Sequence, residues 1–394
     1  MRYLKNANID GKRVIVRCDL NVPIVNGIIM DENRIIETLP TLKYVLKRAD
    51  KVIILSHLGR IKNETDLITY TLKPICKRLS ELLNVDIEFC KYDDNIEKQI
   101  LKNKVVMLEN TRYFDLYGGK ESNNDLSLSK YLSSFGDVFV NDAFGVCHRN
   151  AASVVGITKF LPSYAGFLIE KEITELNKIK YNFKRPFSVI LGGSKVSDKI
   201  GLISNLIDKV DNLIIVGAMA FTFLKSENID VGKSIIDDNS LNFAKELLSK
   251  YSNKIILPID VCTSLNIDDT ESSKYKNISD INLNEIAFDI GPKTIEIIYN
   301  SVKNSKTIFL NGPAGAYEYD KFSYGTKKIF EMLCKIDADI IIGGGDSGAA
   351  AIKFGFKDKF NHISTGGGAS LEYLEGKKLP GIECLCEIKW KNIM

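Results

Sequence analysis

Arginine is scarce here, ten residues among 53 lysines and arginines, and nine of the ten lie within the first 149 positions. Lysine is the default cation, so this clustering needs a reason. Arginine offers a planar fork of donors that grips carboxylate or phosphate at two points, which lysine cannot copy. Excess charge is also lacking. A formal net charge of +3 with no concentrated basic stripe argues against a nucleic-acid partner and leaves small anions as candidates. No uncharged stretch of about 18 apolar residues occurs, and the N-terminus has no apolar core of signal-peptide length, so no membrane partner and a cytoplasmic location are expected. A regular cysteine framework is missing too. The eight cysteines are irregularly spaced, which predicts reduced thiols. Cys384 and Cys386 form a C-x-C pair without a second pair or a histidine nearby, so the spacing predicts a strand with alternating faces rather than a zinc site.

What is present is a rhythm. Short β-branched runs alternate with longer stretches of helical period: Arg13–Arg17, Lys51–Leu55, 105–108 and 138–140 in the first half. In the second half they are 188–191, 213–216, 254–257, 307–310 and 339–342. Runs apolar on both faces and separated by helices predict parallel strands covered on two sides. At 394 residues the chain exceeds the roughly 250 to 300 that one core supports. The expected fold class is therefore α/β, with two Rossmann-like, doubly wound parallel-sheet domains. The boundary is expected between Ala165 and Pro186, where Glu170–Ile179 reads as a charged amphipathic helix.

In open parallel sheets, ligands collect beyond the carboxyl ends of the strands. The residues just after the first-half runs are Asp19-Leu20-Asn21, His57-Leu58-Gly59-Arg60, Arg112, and a segment ending in His148-Arg149. Arg60, Arg112 and Arg149, each at a strand's end, together predict an anion site. Arg34 joins them on spacing, whereas Arg2, Arg13, Arg48 and Arg78 read as solvated surface charges.

In the second half, Gly192-Gly193-Ser194-Lys195 to Lys199 runs from a strand through a glycine turn into a helix. The spacing places Lys195 and Lys199 on one helical face at a helix start, a setting that suits phosphate. Gly343, Gly345 and Gly348 complete a G-x-G-x-x-G pattern, but the acid expected about 20 residues later is missing, which counts against a dinucleotide site. These glycines read instead as making room for phosphates, with Asp346 available to Mg²⁺. A Walker A loop fails because Glu227 stands where its first glycine belongs. Gly366-Gly367-Gly368, after a short strand and before a helical stretch, could aim several amides at one anion.

The motifs RCDLNVP from Arg17, SHLGR from Ser56, LENTRY from Leu108, NDAFGVCHR from Asn141, LGGSKVSDKI from Leu191, DIGPKT from Asp289, NGPAGAYE from Asn311, GGGDS from Gly343 and STGGGASLE from Ser364 follow one another in order. Over essentially its whole length the chain resembles the phosphoglycerate kinase family. Small departures are Cys18, Leu20, Ser194, Ala314 and Ala316, none of which removes a charged group.

The resemblance implies two lobes facing a cleft: a 3-phosphoglycerate-binding domain over 1–168 and a nucleotide-binding domain over 169–369 that begins with an interdomain helix. A tail over 370–394 would return to the first domain. It implies that Asp19, Leu20, Asn21, Arg34, His57, Leu58, Gly59, Arg60, Arg112 and Arg149 hold 3-phosphoglycerate or 1,3-bisphosphoglycerate. Gly193, Lys195, Lys199, Glu318, Gly344, Gly345, Asp346 and Ser347 would hold ATP or ADP with Mg²⁺ on Asp346 and the ribose on Glu318, while Asn311, Gly312 and Pro313 would lie near the adenine. Arg34, Lys199 and the amides of Gly366, Gly367 and Gly368 would serve the transferring group. A monomer is the family expectation. The acceptor carboxylate is ionised at neutral pH, so no general base is required, and none is apparent. Two alternatives stay open, a kinase of another small phosphorylated carboxylate and a non-catalytic descendant.

Overall fold

The structure is a computed structural model, and it describes every residue except 94, 270 and 387–394. Contacts divide the chain into two units: Met1–Thr174 with the chain from Lys378 onward, and Glu175–Lys377. The helix Phe167–Lys180 carries the chain from the first to the second.

The first unit contains β1 (Arg13–Arg17), β2 (Ile24–Val25), β3 (Ile28–Ile29), β4 (Lys51–Leu55), β5 (Glu88–Cys90), β6 (Val105–Leu108), β7 (Val138–Asn141) and β8 (Ser163–Ala165). Six of them form one parallel sheet in the order β5-β6-β4-β1-β7-β8, and β2 with β3 makes a separate hairpin. Successive side chains of a strand point to opposite faces. Val14, Val16, Val52, Ile54, Val138 and Val140 accordingly join one core, while Ile15, Ile53, Leu55 and Phe139 join another. Both faces are buried, and that is why these strands read as unbroken apolar runs. The helix Asn33–Arg48 buries Ile35, Thr38, Thr41, Leu42 and Val45, a stripe at spacings of three and four, and ends in Lys47-Arg48, which suits the negative end of its dipole.

The second unit contains β9 (Phe187–Leu191), β10 (Asn212–Ile215), β11 (Ile255–Ile256), β12 (Asp260–Ser264), β13 (Lys274–Asn277), β14 (Ile286–Ile290), β15 (Thr307–Asn311), β16 (Asp339–Gly343) and β17 (His362–Ile363). Its main sheet is parallel in the order β11-β10-β9-β15-β16-β17, which is 3-2-1-4-5-6 when these six are numbered along the chain. That is the strand order of the Rossmann fold, with the order reversing between β9 and β15. A second, antiparallel sheet, β13-β12-β14, has its own apolar cluster around Val261, Ile278 and Ala287.

One sequence expectation fails outright. Cys384 and Cys386 lie not on a strand but in the turn after the short helix Pro380–Glu383. Pro380 at the helix start and the bond from Cys384 N to Pro380 O at 3.1 Å make a helical turn there, which Gly381 N anchors to Cys147 O at 2.8 Å. Of the tail expected over 370–394, residues 387–394 lie outside the described residues.

Candidate active site

In the first unit the loops after β1, β4 and β6 are stitched together by backbone groups. Asn21 Oδ1 accepts from Gly59 N at 2.9 Å, Leu20 N donates to Ser56 Oγ at 3.0 Å, and Asn110 Oδ1 accepts from Leu58 N at 3.1 Å. Arg112 donates to the Gly59 carbonyl. This frame fixes the cations. Arg34, at the start of its helix, reaches Asp19 Oδ2 at 3.1 Å and Asn21 O at 3.2 Å.

A cavity of about 130 Å³ is lined by Arg17, His57, Arg112, Glu121, Ser122 and Arg149 with Val146, Ala151 and Val154. A second, of about 380 Å³, is lined by Arg60, Lys62, Arg112, Asp115 and Arg149, so Arg112 and Arg149 border both. Burial, then repulsion from Arg149 and Arg17, pushes Arg112 down to about 10. Burial also lowers Arg149, and His57 falls well below its ordinary value through burial and the surrounding arginines. Cations packed closely enough to disfavour one another's charge are what a bound multivalent anion would relieve.

Arg17, which in the sequence only opens the RCDLNVP motif, is 2% exposed and lines the smaller cavity. It donates to Ser153 Oγ at 2.9 Å and lies 3.3 Å from His57 Nδ1. It is the last residue of β1, closing a run whose inner residues are apolar. The surface reading of Arg13, Arg48 and Arg78 agrees with their ion pairs to Asp137, Asp10 and Glu32.

In the second unit, one chamber of about 330 Å³ is lined by Gly193, Lys195, Lys199, Asn311, Gly312, Gly344, Gly345, Asp346, Ser347, Gly367 and Gly368. Another, of about 270 Å³, is apolar, lined by Phe221, Ile235, Ile267, Phe288, Ala314 and Ala316, with Pro313 and Glu318 at its border. Gly193, Ser194 and Asp346 line both. Phe221, Ile235 and Phe288 carry no sequence signal that separates them from ordinary core.

Three expectations need correction. Lys195 precedes the helical residues, which begin with the 3-10 turn Ser197–Lys199 and continue as Ile200–Leu206, so Lys195 and Lys199 share a cavity but not a helical face. Asn311 is not on the apolar side. Its Oδ1 accepts from Lys199 Nζ within the polar chamber, and only Pro313 of that turn reaches the apolar one. Gly367 and Gly368 line the chamber, whereas Gly366 does not, and its N–H donates to Ser364 Oγ at 3.2 Å.

Burial pushes the Lys199 amine down to about 8, opposed by Asp198 and Asp346. Ser347 Oγ accepts from Gly312 N at 2.6 Å, joining the turn after β15 to the helix Gly345–Lys353.

A family model described as phosphoglycerate kinase matches residues 4–377. The chain belongs to the phosphoglycerate kinase family. It is 48% identical to the phosphoglycerate kinase of Finegoldia magna, across 98% of this chain and 99% of that protein, and 47% identical to that of Lactobacillus delbrueckii subsp. bulgaricus, across 98% of each. Among solved structures, the phosphoglycerate kinase of Coxiella burnetii matches with a TM-score of 0.84 at 36% identity, covering 97% of this chain and 98% of that one. The Pyrococcus horikoshii OT3 enzyme matches with 0.85 at 29% identity, covering 98% of each. Neither alternative drawn from the sequence, a kinase of another carboxylate or a non-catalytic descendant, is favoured by membership of the phosphoglycerate kinase family. No helix among the described residues is long and apolar enough to cross a membrane.

Proposed function

We propose that this chain catalyses reversible, Mg²⁺-dependent transfer of the γ-phosphoryl group of ATP to the carboxylate of 3-phosphoglycerate, giving ADP and 1,3-bisphosphoglycerate. The observation that carries this reading is chemical complementarity at the two sheet ends. One unit gathers Arg17, His57, Arg112 and Arg149 around a small cavity suited to a phosphorylated acid. The other offers a glycine- and lysine-lined chamber beside an apolar one, as a nucleoside triphosphate requires.

On this reading His57, Arg60, Arg112 and Arg149 hold the acid, with Asp19, Leu20, Asn21, Leu58 and Gly59 framing it. The adenine enters the apolar chamber, Glu318 takes the ribose, and the Gly193, Gly312 and Gly344-Gly345 backbone with Lys195 and Ser347 holds the phosphates. Asp346 would hold Mg²⁺. The donor set fits, because Mg²⁺ takes one or two carboxylates and completes its shell with substrate phosphate oxygens and water. Asp346 is an exposed carboxylate on the wall of the polar chamber, and no cluster of three or more His, Cys, Asp or Glu exists among the described residues to form a closed cage. When bound, Mg²⁺ supplies neutralisation of phosphate charge.

The rest falls to the chain's own groups. The acceptor carboxylate attacks phosphorus as the bond to the ADP oxygen breaks, with no proton to remove, so positioning and charge stabilisation dominate. Lys199, aimed by Asn311, and Arg34, aimed by Asp19, donate to the equatorial oxygens, together with the amides of Gly367 and Gly368. We further read the chain as a cytoplasmic monomer, the expectation that its family carries.

A coupled assay with ATP, Mg²⁺ and 3-phosphoglycerate tests this: ADP must form only when the acid is present. Equal rates with other phosphorylated acids, or none with any, would overturn it.

A further inference from the structure

Asp142, the residue directly after β7, is fully buried. A carboxylate out of water is costly unless donors meet its oxygens, and here the donors come from two helices. Thr38 Oγ1, on the helix Asn33–Arg48, donates to Asp142 Oδ2 at 3.3 Å. Leu168 N, in the first turn of the helix Phe167–Lys180, donates to Oδ1 at 2.9 Å. Thr41, beside the Asp142 carboxyl, ties the two helices directly: its hydroxyl accepts from Phe167 N at 2.9 Å. Asp142 cannot drift from these partners. Its own N–H is held by Arg17 O at 2.8 Å, and a methyl on Gly166 would stand 2.1 Å from Oδ1.

The helix gripped in this way is the one that carries Arg34, a single turn before Thr38. Arg34 has a long, partly exposed side chain whose aim follows its helix as well as its bonds to Asp19 Oδ2 and Asn21 O. The same network touches the other side of that anchor. Thr38 Oγ1 lies 3.2 Å from Cys18 Sγ, next to Asp19 in sequence. One buried carboxylate therefore constrains both the helix bearing Arg34 and, through Thr38, the loop bearing its acidic partner.

We propose that Asp142 is a positioning residue for the phosphoryl transfer: with Thr38 and Thr41 it locks the Arg34 helix to the first turn of the Phe167–Lys180 helix and so sets where the Arg34 guanidinium stands. The proposal rests on the role given to Arg34 above. Burial pushes Asp142 up to about 7, and above that pH both oxygens of its carboxylate accept, whereas an amide would turn an N–H₂ toward the amide or hydroxyl donors. Leaving such donors unmet inside the core displaces the elements that carry them. Displacement of a reacting group by about 1 Å costs up to about a hundredfold in rate.

Steady-state kinetics on the full chain with ATP and 3-phosphoglycerate test this. Thr41→Val keeps the volume and removes the hydroxyl that accepts from Phe167 N; it should lower kcat about tenfold or more while KM for ATP stays within about twofold. Thr41→Ser, which restores the hydroxyl, should return kcat to within about threefold of the parent, and Asp142→Asn should lower it at least as far as Thr41→Val. A purely structural role would reduce the yield or Tm of folded protein and leave kcat per folded molecule untouched. An active parent with kcat unchanged in both Thr41→Val and Asp142→Asn overturns the proposal alone. An inactive parent overturns the functional reading, and this proposal with it.

Discussion

Arg17 Nη2 lies 3.3 Å from His57 Nδ1, with both residues buried at the floor of the arginine-lined cavity. A guanidinium has donors only, so Nδ1 must accept and the neutral ring must carry its proton on Nε2. Burial and four nearby arginines keep that ring neutral. His57 is thereby fixed as a single-proton donor whose ligand-binding face needs no titration. Nitrogen NMR should show the Nε2–H tautomer throughout the neutral range. In Arg17→Met the tautomers should mix, with KM for 3-phosphoglycerate rising about ten- to hundredfold, as loss of a hydrogen bond from a charged group implies. An unchanged tautomer and KM would remove Arg17 from the site.

Arg34→Ala and Lys199→Ala separate transition-state from ground-state roles. Each should lower kcat about 10²- to 10³-fold, the usual cost of losing one preorganised donor to developing charge. KM for ATP should change far less in Arg34→Ala. Turnover within a few fold of the parent in either variant would refute its assignment.

Lys199 also predicts a pH limb. Its amine is pushed down to about 8, so the protonated form, which is the one able to stabilise phosphoryl oxygens, is lost as pH rises through that value. The rate at low ATP should therefore fall above about pH 8. Bound phosphates favour the ammonium, so at saturating ATP the same limb should move to higher pH. A profile flat to pH 10 at low ATP would contradict the shift.

On the proposed reading each unit holds one substrate, and in-line transfer needs the reacting atoms within about 3 to 3.5 Å. Addition of both substrates should shrink the radius of gyration measured by small-angle scattering, with hinge bending in the Glu170–Asn182 segment. Identical radii with and without substrates would count against closure.

The parts of the fold that were legible in the sequence are those buried on two sides. Val14-Ile15-Val16 and Ile340-Ile341-Ile342 announce themselves because both faces of each strand must be apolar. β5, β8 and β17 have two or three residues each, too few for any period to show. β13, Lys-Tyr-Lys-Asn, is an exposed edge whose lysines hide it from an apolar search while guarding it from edge-to-edge pairing. Within the site, Arg60, Arg112 and Arg149 could be picked out by residue type and position. Asn311 could not be placed, since sequence shows that a turn follows β15 but not which chamber its first side chain enters. Gly366 misled for a related reason, because only geometry reveals that Ser364 already takes its amide.

Beneath the nucleotide chambers, a methyl on Gly192 would stand 2.1 Å from Pro313 O, and one on Gly312 would stand 2.2 Å from Gly192 O. Main chain rests directly on main chain at this crossing, so neither glycine can take a side chain without moving backbone. On the proposed placement of the base, retuning this protein toward a different one falls to the side chains of the apolar chamber, Phe221, Ile235, Ile267, Phe288, Ala314 and Ala316, while the glycine floor stays the same for every nucleotide that enters.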